Sequence, residues 1–162
     1  MICFESDGHV FNFRVAGILF HDGRVMVHRS LRDDYYAFPG GRVEPGEDTA
    51  NTVVREFQEE IGLDVEVVRL LWVNENFFTH EGKSFHELGF YYLLKAREEA
   101  AVPTRDVFHS IELGEDGRPT MEFRWVEVEK AADMELYPSF AKTRLGNLPT
   151  VVEHVVERDS DV

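Results

Sequence analysis

Residues 41–63 read "GRVEPGEDTANTVVREFQEEIGL", a stretch that sets Glu56, Glu59 and Glu60 close together beside Arg55. Pro45-Gly46 fills the two central positions of a type II turn. A helix is expected from about Asp48 to Ile61, stopped at Gly62 by a left-handed cap. At about 100° per residue, with Glu56 at zero, Glu60 falls near +40° and Glu59 near −60°. All three carboxylates therefore share one helix face, while Ala50, Val54, Phe57 and Ile61 form the apolar stripe expected to pack on a sheet. On this reading the acids face away from the core.

That crowding needs a reason. Like charges at this spacing destabilise a helix by about 0.2–0.5 kcal/mol per pair. They also lie in the second half of the helix, where the macrodipole disfavours negative charge. Either the face is solvated and idle, or a cation belongs among the acids. Clustered carboxylate oxygens suit a hard divalent ion such as Mg²⁺, which also takes water and substrate phosphate. Just upstream, Gly40-Gly41 lets the backbone turn tightly or approach a ligand, and could leave carbonyls free to help hold a metal.

Gly41, Glu47, Arg55, Glu56, Phe57, Glu59, Glu60, Gly62 and Leu63 fill every fixed place of the Nudix box, which the segment closely resembles. Phe57 is the one soft departure, since an aliphatic residue is commoner there. The resemblance implies an α/β/α sandwich around a mixed β-sheet, as a single domain over residues 1–162. It implies hydrolysis of a phosphoanhydride in a nucleoside diphosphate linked to another group, with Mg²⁺ or Mn²⁺. By the same resemblance Glu56 and Glu60 are the main metal ligands, and Glu59 is a further ligand or the water-activating residue. The Gly40 carbonyl is a backbone ligand. Arg55 and Glu47 brace the loop against the helix, with Arg55 also orienting the acids; Gly41, Glu47 and Gly62 keep the box in shape. The general base stays open between this helix and a loop acid before the last strand, where Glu112, Glu115 and Glu122 are candidates. Glu75 and Glu87 are candidates for a ligand from across the site.

The substrate is less legible. Markers of the ADP-ribose, diadenosine polyphosphate and coenzyme A subgroups are missing or incomplete: Phe77, Phe78, Thr79 and His80 stand where the first two would show. Arg29 and Arg32 are phosphate candidates, because guanidinium binds oxygens in a bidentate manner. Phe38 is a further substrate-binding candidate. Tyr35, Tyr36, Phe77 and Phe78 are available for stacking on a base, worth about 1–3 kcal/mol where it occurs. His28, His80 and His86 read as ordinary strand or surface residues without metal-ligand spacing. A non-catalytic sensor of a nucleotide metabolite is the rival function, but such modules commonly carry degenerate boxes and this one keeps every acid.

Outside the box, "FNFRVAGILF" reads as a buried strand, and Asp22-Gly23 turns the chain into a second strand, "RVMVHRS". "VEVVRLLWVNENFF" and "FHELGFYYLLKA" form a long hairpin across "THEGKS". A loop over about residues 101–119 leads to the strand "MEFRWVEV", and short helices are expected in "EKAADM", "PSFAKTRL" and "PTVVEHVVE". The 162 residues carry a formal charge of −14, with 43% hydrophobic and 12% aromatic content. That charge argues against partners that need a cationic surface, so neither nucleic acid nor a membrane is expected, but a small phosphorylated nucleotide is. Cys3 is the only cysteine. No signal-like start and no apolar run near the roughly 20 residues of a membrane span are present. A cytoplasmic protein is expected, and the resemblance admits a homodimer.

Overall fold

The computed structural model describes residues 1–159. Two strands come first, β1 (Cys3–Ser6) and the long β2 (His9–His21), followed by β3 (Arg24–Ser30), β4 (Tyr36–Ala37) and β5 (Gly40–Arg42). Then come the helix α1 (Thr49–Ile61) and the hairpin of β6 (Val65–His80) with β7 (Lys83–Ala96). Strands β8 (Val107–His109), β9 (Met121–Glu127) and β10 (Leu136–Tyr137), the short α2 (Ser139–Lys142) and β11 (Glu153–Arg158) complete the order.

The sheet runs β10-β4-β3-β2-β7-β6-β11, with β1 and β5 also pairing β2 and with β9 joining β8 to β3. It is mixed: β2 runs parallel to β7, whereas β6 and β7 are antiparallel. Strict alternation along β2 sends Val15 and Leu19 into one apolar cluster and Ala16 and Ile18 into another. Helix α1 covers the first cluster with Val53 and Phe57; Phe140, Ala141 and Leu145 cover the second. This is the expected α/β sandwich. Among the described residues, no helix is long and apolar enough to cross a membrane.

Helix α1 begins and ends where its sequence says. Asp48 caps its start by accepting from the Asn51 N–H at 2.9 Å, which satisfies one of the orphan donors of the first turn. Gly62 takes φ 66° and its N–H bonds the Gln58 carbonyl at 3.0 Å, the single bond of a left-handed αL cap. Gly46 has φ 86° and Glu47 N–H bonds the Glu44 carbonyl at 3.1 Å, so the turn before the helix is as expected.

The helix is nonetheless rolled relative to the sequence-based stripe. Its fully buried residues are Thr52, Val53 and Phe57, while Ala50, Val54 and Ile61 are only half-buried. Thr52, Glu56 and Glu60 form one i, i+4 row, so burying Thr52 turns both carboxylates toward the sheet rather than away from it.

Two further expectations are corrected. "PTVVEHVVE" supplies a strand, β11, which pairs parallel with β6 from Glu153↔Trp72 to Arg158↔Phe77. Its valines satisfy a helical or an alternating pattern, and the open edge of β6 decides in favour of the branched residues' strand preference. The loop at 101–119 contains β8, which adds to β9. All of "EKAADM" but Met134 lies in a 3₁₀ turn at Val128–Asp133, and "PSFAKTRL" yields only the four-residue α2.

Candidate active site

Strand β5 and helix α1 meet at the Gly pair. Pro39 accepts from Gly17 N–H at 2.8 Å and Val43 donates to Phe13 at 3.0 Å. Alternation along an antiparallel pair therefore turns the backbone groups of Gly40 away from β2. Gly41 lies against the Glu56 carboxylate, and a methyl group added there would collide with it.

Arg55 is the hub of the acids. Its Nε and Nη2 donate to the two oxygens of Glu47 at 2.9 and 3.0 Å, a two-pronged pair. Its Nη1 donates to Glu56 and to Glu59, each at 3.0 Å. Thr52 Oγ1 also donates to Glu47 at 3.0 Å. The loop before α1 is thus pinned to the helix middle, and the hydrogen bond from Arg55 holds the Glu47 carboxyl below its ordinary range.

Glu56 and Glu60 are 15% and 12% exposed at the side chain, against 52% for Glu59. Burial raises the Glu56 carboxyl, and the charge of Glu60 raises it further. Burial pushes Glu60 up to about 8, opposed by Arg14 and reinforced by Glu112 and Glu59. The backbone N–H of Ile111 bonds the Glu60 carbonyl at 2.8 Å, so the 110–113 loop is clipped to the helix end. Of the three loop acids, Glu112 is the one that acts electrostatically on Glu60. Glu122 is instead occupied, accepting from Arg29 Nε at 3.1 Å and Tyr36 Oη at 2.9 Å.

His28 on β3 stands behind Glu60. Arg14 Nη2 lies 3.4 Å from its Nε2 and donates to the Phe38 carbonyl at 2.8 Å. Because Arg can only donate, Nε2 accepts and Nδ1 carries the hydrogen. That Nδ1 is sealed from solvent without a hydrogen-bond partner among the described residues, with Glu60 Oε2 3.6 Å away. Burial, helped by Arg14, keeps His28 neutral by lowering its pKa to about 3.

No three His, Cys, Asp or Glu side chains among the described residues form a ready-made metal cage. The donors nevertheless fit a hard cation. Two largely shielded carboxylates sit one helical turn apart, the charge of Glu60 raising the Glu56 carboxyl. A backbone carbonyl faces off the strand edge, and Mg²⁺ commonly uses only one or two carboxylates with waters and phosphates.

A cavity of about 430 Å³ has Arg14 and His28 in its wall; none of Glu56, Glu59 and Glu60 lines it, and His28, 3.6 Å from Glu60, is the link between the two. Tyr35, Phe78, His80 and Tyr137 line it with Asn76 and Glu87. Arg29 also lines it, although its guanidinium is already bound to Glu122. Arg32 is exposed outside it. Phe38 is a correction: its ring is fully buried against Tyr91, so no face is left for a substrate. Phe77 and His86 stack on each other, and neither lines the cavity. Glu75 is bound to His154 at 2.7 Å. Arg14 escaped notice in the sequence, although a single charge within the apolar run "FNFRVAGILF" was its signal.

The NUDIX domain profile matches residues 11–144, and the chain belongs to that family. Among curated relatives, the putative ADP-ribose pyrophosphatase YjhB of Bacillus subtilis (strain 168) is 34% identical over 73 residues, covering 44% of this chain and 35% of YjhB. The RNA pyrophosphohydrolase of Pseudomonas fluorescens (strain SBW25) is 37% identical over 68 residues, 41% of this chain and 42% of that protein. The matches thus span less than half the length of these relatives. In fold, the chain is similar to a MutT protein from Bacillus halodurans, with TM-score 0.62 and 18% identity over 93% of this chain and 92% of that one. A UDP-X diphosphatase gives TM-score 0.59 and 16% identity, covering 89% of this chain and 66% of that one.

Proposed function

We propose that this protein hydrolyses a phosphoanhydride bond in a nucleoside diphosphate linked to another group, using a divalent cation held by the Glu-rich helix. The observation that carries it is the pair Glu56 and Glu60, one helical turn apart and mostly shielded from solvent, Glu56 against Gly41 of β5 and Glu60 3.6 Å from His28 of β3. A structural helix gains nothing from two such carboxylates, whereas a cation offsets both charges. Glu56, Glu60 and the Gly40 carbonyl would hold the ion, with Glu59 as a further ligand or the general base. A bound Mg²⁺ or Mn²⁺ supplies charge neutralisation at phosphate oxygens and acidifies bound water.

The protein's own residues do the rest. Arg55 fixes Glu56 and Glu59 in register while Glu47 anchors it from the loop. Glu59 spends one oxygen on Arg55, leaving the other to take a proton from attacking water. Arg14 stands in the cavity wall next to His28, a position suited to a substrate phosphate. The cavity would take the nucleoside.

The test is phosphate and nucleotide release from nucleoside triphosphates, nucleotide sugars, dinucleoside polyphosphates and ADP-ribose, with Mg²⁺, with Mn²⁺ and with chelator. Metal-dependent cleavage of one class is the expected result. Tight binding without cleavage under either metal would instead favour a nucleotide-binding module.

Gly41→Ala tests the contact between β5 and the helix. The added methyl displaces the Glu56 carboxylate, and a misplacement of about 1 Å is enough to cost roughly 100-fold in rate. Because the atoms met are the far end of the Glu56 side chain, which can swing aside, stability should change little. Both kcat/KM and melting temperature should be measured; an unchanged kcat/KM would remove Gly41 from the site.

A further inference from the structure

Four strands place polar residues in one row on the cavity face of the sheet. Asn12 on β2 is opposite Glu87 on β7, Glu87 is opposite Asn76 on β6, and Asn76 is opposite Glu157 on β11. Glu87, Asn76 and Glu157 all line the cavity. Such a row is costly at a sheet face that is otherwise core, because buried polar groups must find partners.

Two members are already committed. Glu157 accepts from Ser139 Oγ and from Phe140 N–H, both at 2.9 Å. Asn12 accepts from Arg42 Nε through Oδ1 and donates from Nδ2 to Glu87 Oε2, both at 2.6 Å. Glu87 is therefore held in place from behind. It is only 9% exposed, and its Oε1 has no hydrogen bond among the described residues. Asn76, beside it, likewise has no side-chain hydrogen bond there.

The rows on either side supply the rest of a pocket. On the hairpin side Phe78 and Phe85 are directly opposite and stacked, with ring centroids 5.0 Å apart. On the other side the row is Arg14, Gly89 and Asn74. Asn74 is fully buried, and both polar atoms of its amide lack a partner among the described residues. Polar groups thus continue beneath the cavity beyond what the protein itself satisfies.

From this arrangement we infer that Glu87 and Asn76 read the Watson–Crick edge of a guanine, so that the enzyme prefers guanine nucleotides. A carboxylate only accepts, and guanine offers it two adjacent donors, N1–H and N2–H₂. The Asn76 amide then donates to O6. Neighbouring strands lie about 4.8 Å apart, a separation that suits the span of that edge. The base would stand upright on the polar row with one face toward Phe78, and its phosphates would lie toward Arg14 and the Glu60 side. Adenine would turn its N1 lone pair to the Glu87 carboxylate and be repelled. Uracil offers one donor flanked by acceptors, and cytosine a single amino group.

The inference rests on the reading of the cavity as the nucleotide pocket, and the test separates the two. Calorimetric titration of the wild-type protein with GMP, IMP and AMP, in Mg²⁺, should give the affinity order GMP, IMP, AMP. Loss of the 2-amino group in IMP removes one hydrogen bond to a charged acceptor and should cost about 10- to 100-fold. Glu87→Gln should erase the preference, weakening GMP by a similar factor while AMP stays equal or tightens, because an amide can pair with both N6–H₂ and N1. Asn76→Ala should weaken GMP and leave AMP unchanged, and it decides with the wild-type order if Glu87→Gln does not fold. Equal or tighter binding of AMP by the wild type, or a preference that survives Glu87→Gln, overturns the guanine assignment and leaves the nucleotide pocket standing. Absence of binding by all three, together with no cleavage of any nucleotide, overturns both.

Discussion

Glu60→Gln is expected to abolish most turnover while making the metal-free protein more stable at alkaline pH. Substitutions at residues that merely support metal ligands already cost about 10- to 100-fold, so loss of a proposed ligand should exceed about 100-fold. The stability effect follows from burial. Glu60 is pushed from its ordinary 4.5 to about 8 in the fold. Between those values the folded state binds more protons than the unfolded chain, so stability falls as pH rises from about 4.5 through about 8. The shift corresponds to at most about 5 kcal/mol. A glutamine stays neutral and escapes that loss.

Melting curves at pH 6 and 8.5, with chelator and with Mg²⁺, would check each part. The wild type should melt lower at pH 8.5 than at pH 6 in chelator, and Mg²⁺ should raise its melting temperature more at the higher pH. Glu60→Gln should respond little to Mg²⁺ and, in chelator at pH 8.5, should melt above the wild type. Wild-type turnover, or a lower melting temperature under those conditions, would sink the assignment.

Phe57→Ala carries the largest expected loss of stability. The ring is 1% exposed in the cluster beneath α1, with Val15, Val53, Leu63 and Leu94. Gly17 on β2 leaves the space that the Phe57 and Leu94 side chains occupy; a methyl there would meet the Phe57 ring at 2.8 Å. Truncating a buried Phe costs about 3–5 kcal/mol, which at this chain length lowers the melting temperature by about 10 °C. Activity should fall too, since Phe57 sits one residue from Glu56 and holds the helix at the height where that carboxylate meets Gly41. Urea and thermal unfolding give the measure. An unchanged midpoint in both would show that α1 does not depend on this anchor.

Residues 41–63 were legible because their signals are local. A turn at Pro45-Gly46, a cap at Asp48, a stop at Gly62 and an i, i+4 row of acids need only nearest neighbours to act. The long strands β2, β6 and β7 were legible for the same reason, as extended runs of β-forming residues. What failed was non-local. The valines of residues 151–156 fit two periodicities, and only an unpaired edge on β6 chooses between them. Phe38 adjoins the Gly pair in sequence, yet its ring falls in the core behind the sheet.

By itself, the sequence determined the helix and its acids, because these are set by spacing within one turn or one helix, and through its resemblance to the Nudix box it implied the family and the Arg55–Glu47 brace. Tertiary structure alone decided that Glu56 and Glu60 face the sheet. The roll of α1 depends on which residues find room against β2, and Gly17 makes that room for Phe57. It also decided that Arg14 and His28 stand behind Glu60 and that Asn12, Glu87 and Asn76 share a row. Those residues lie on different strands, and register, which sequence spacing does not encode, is what brings them together.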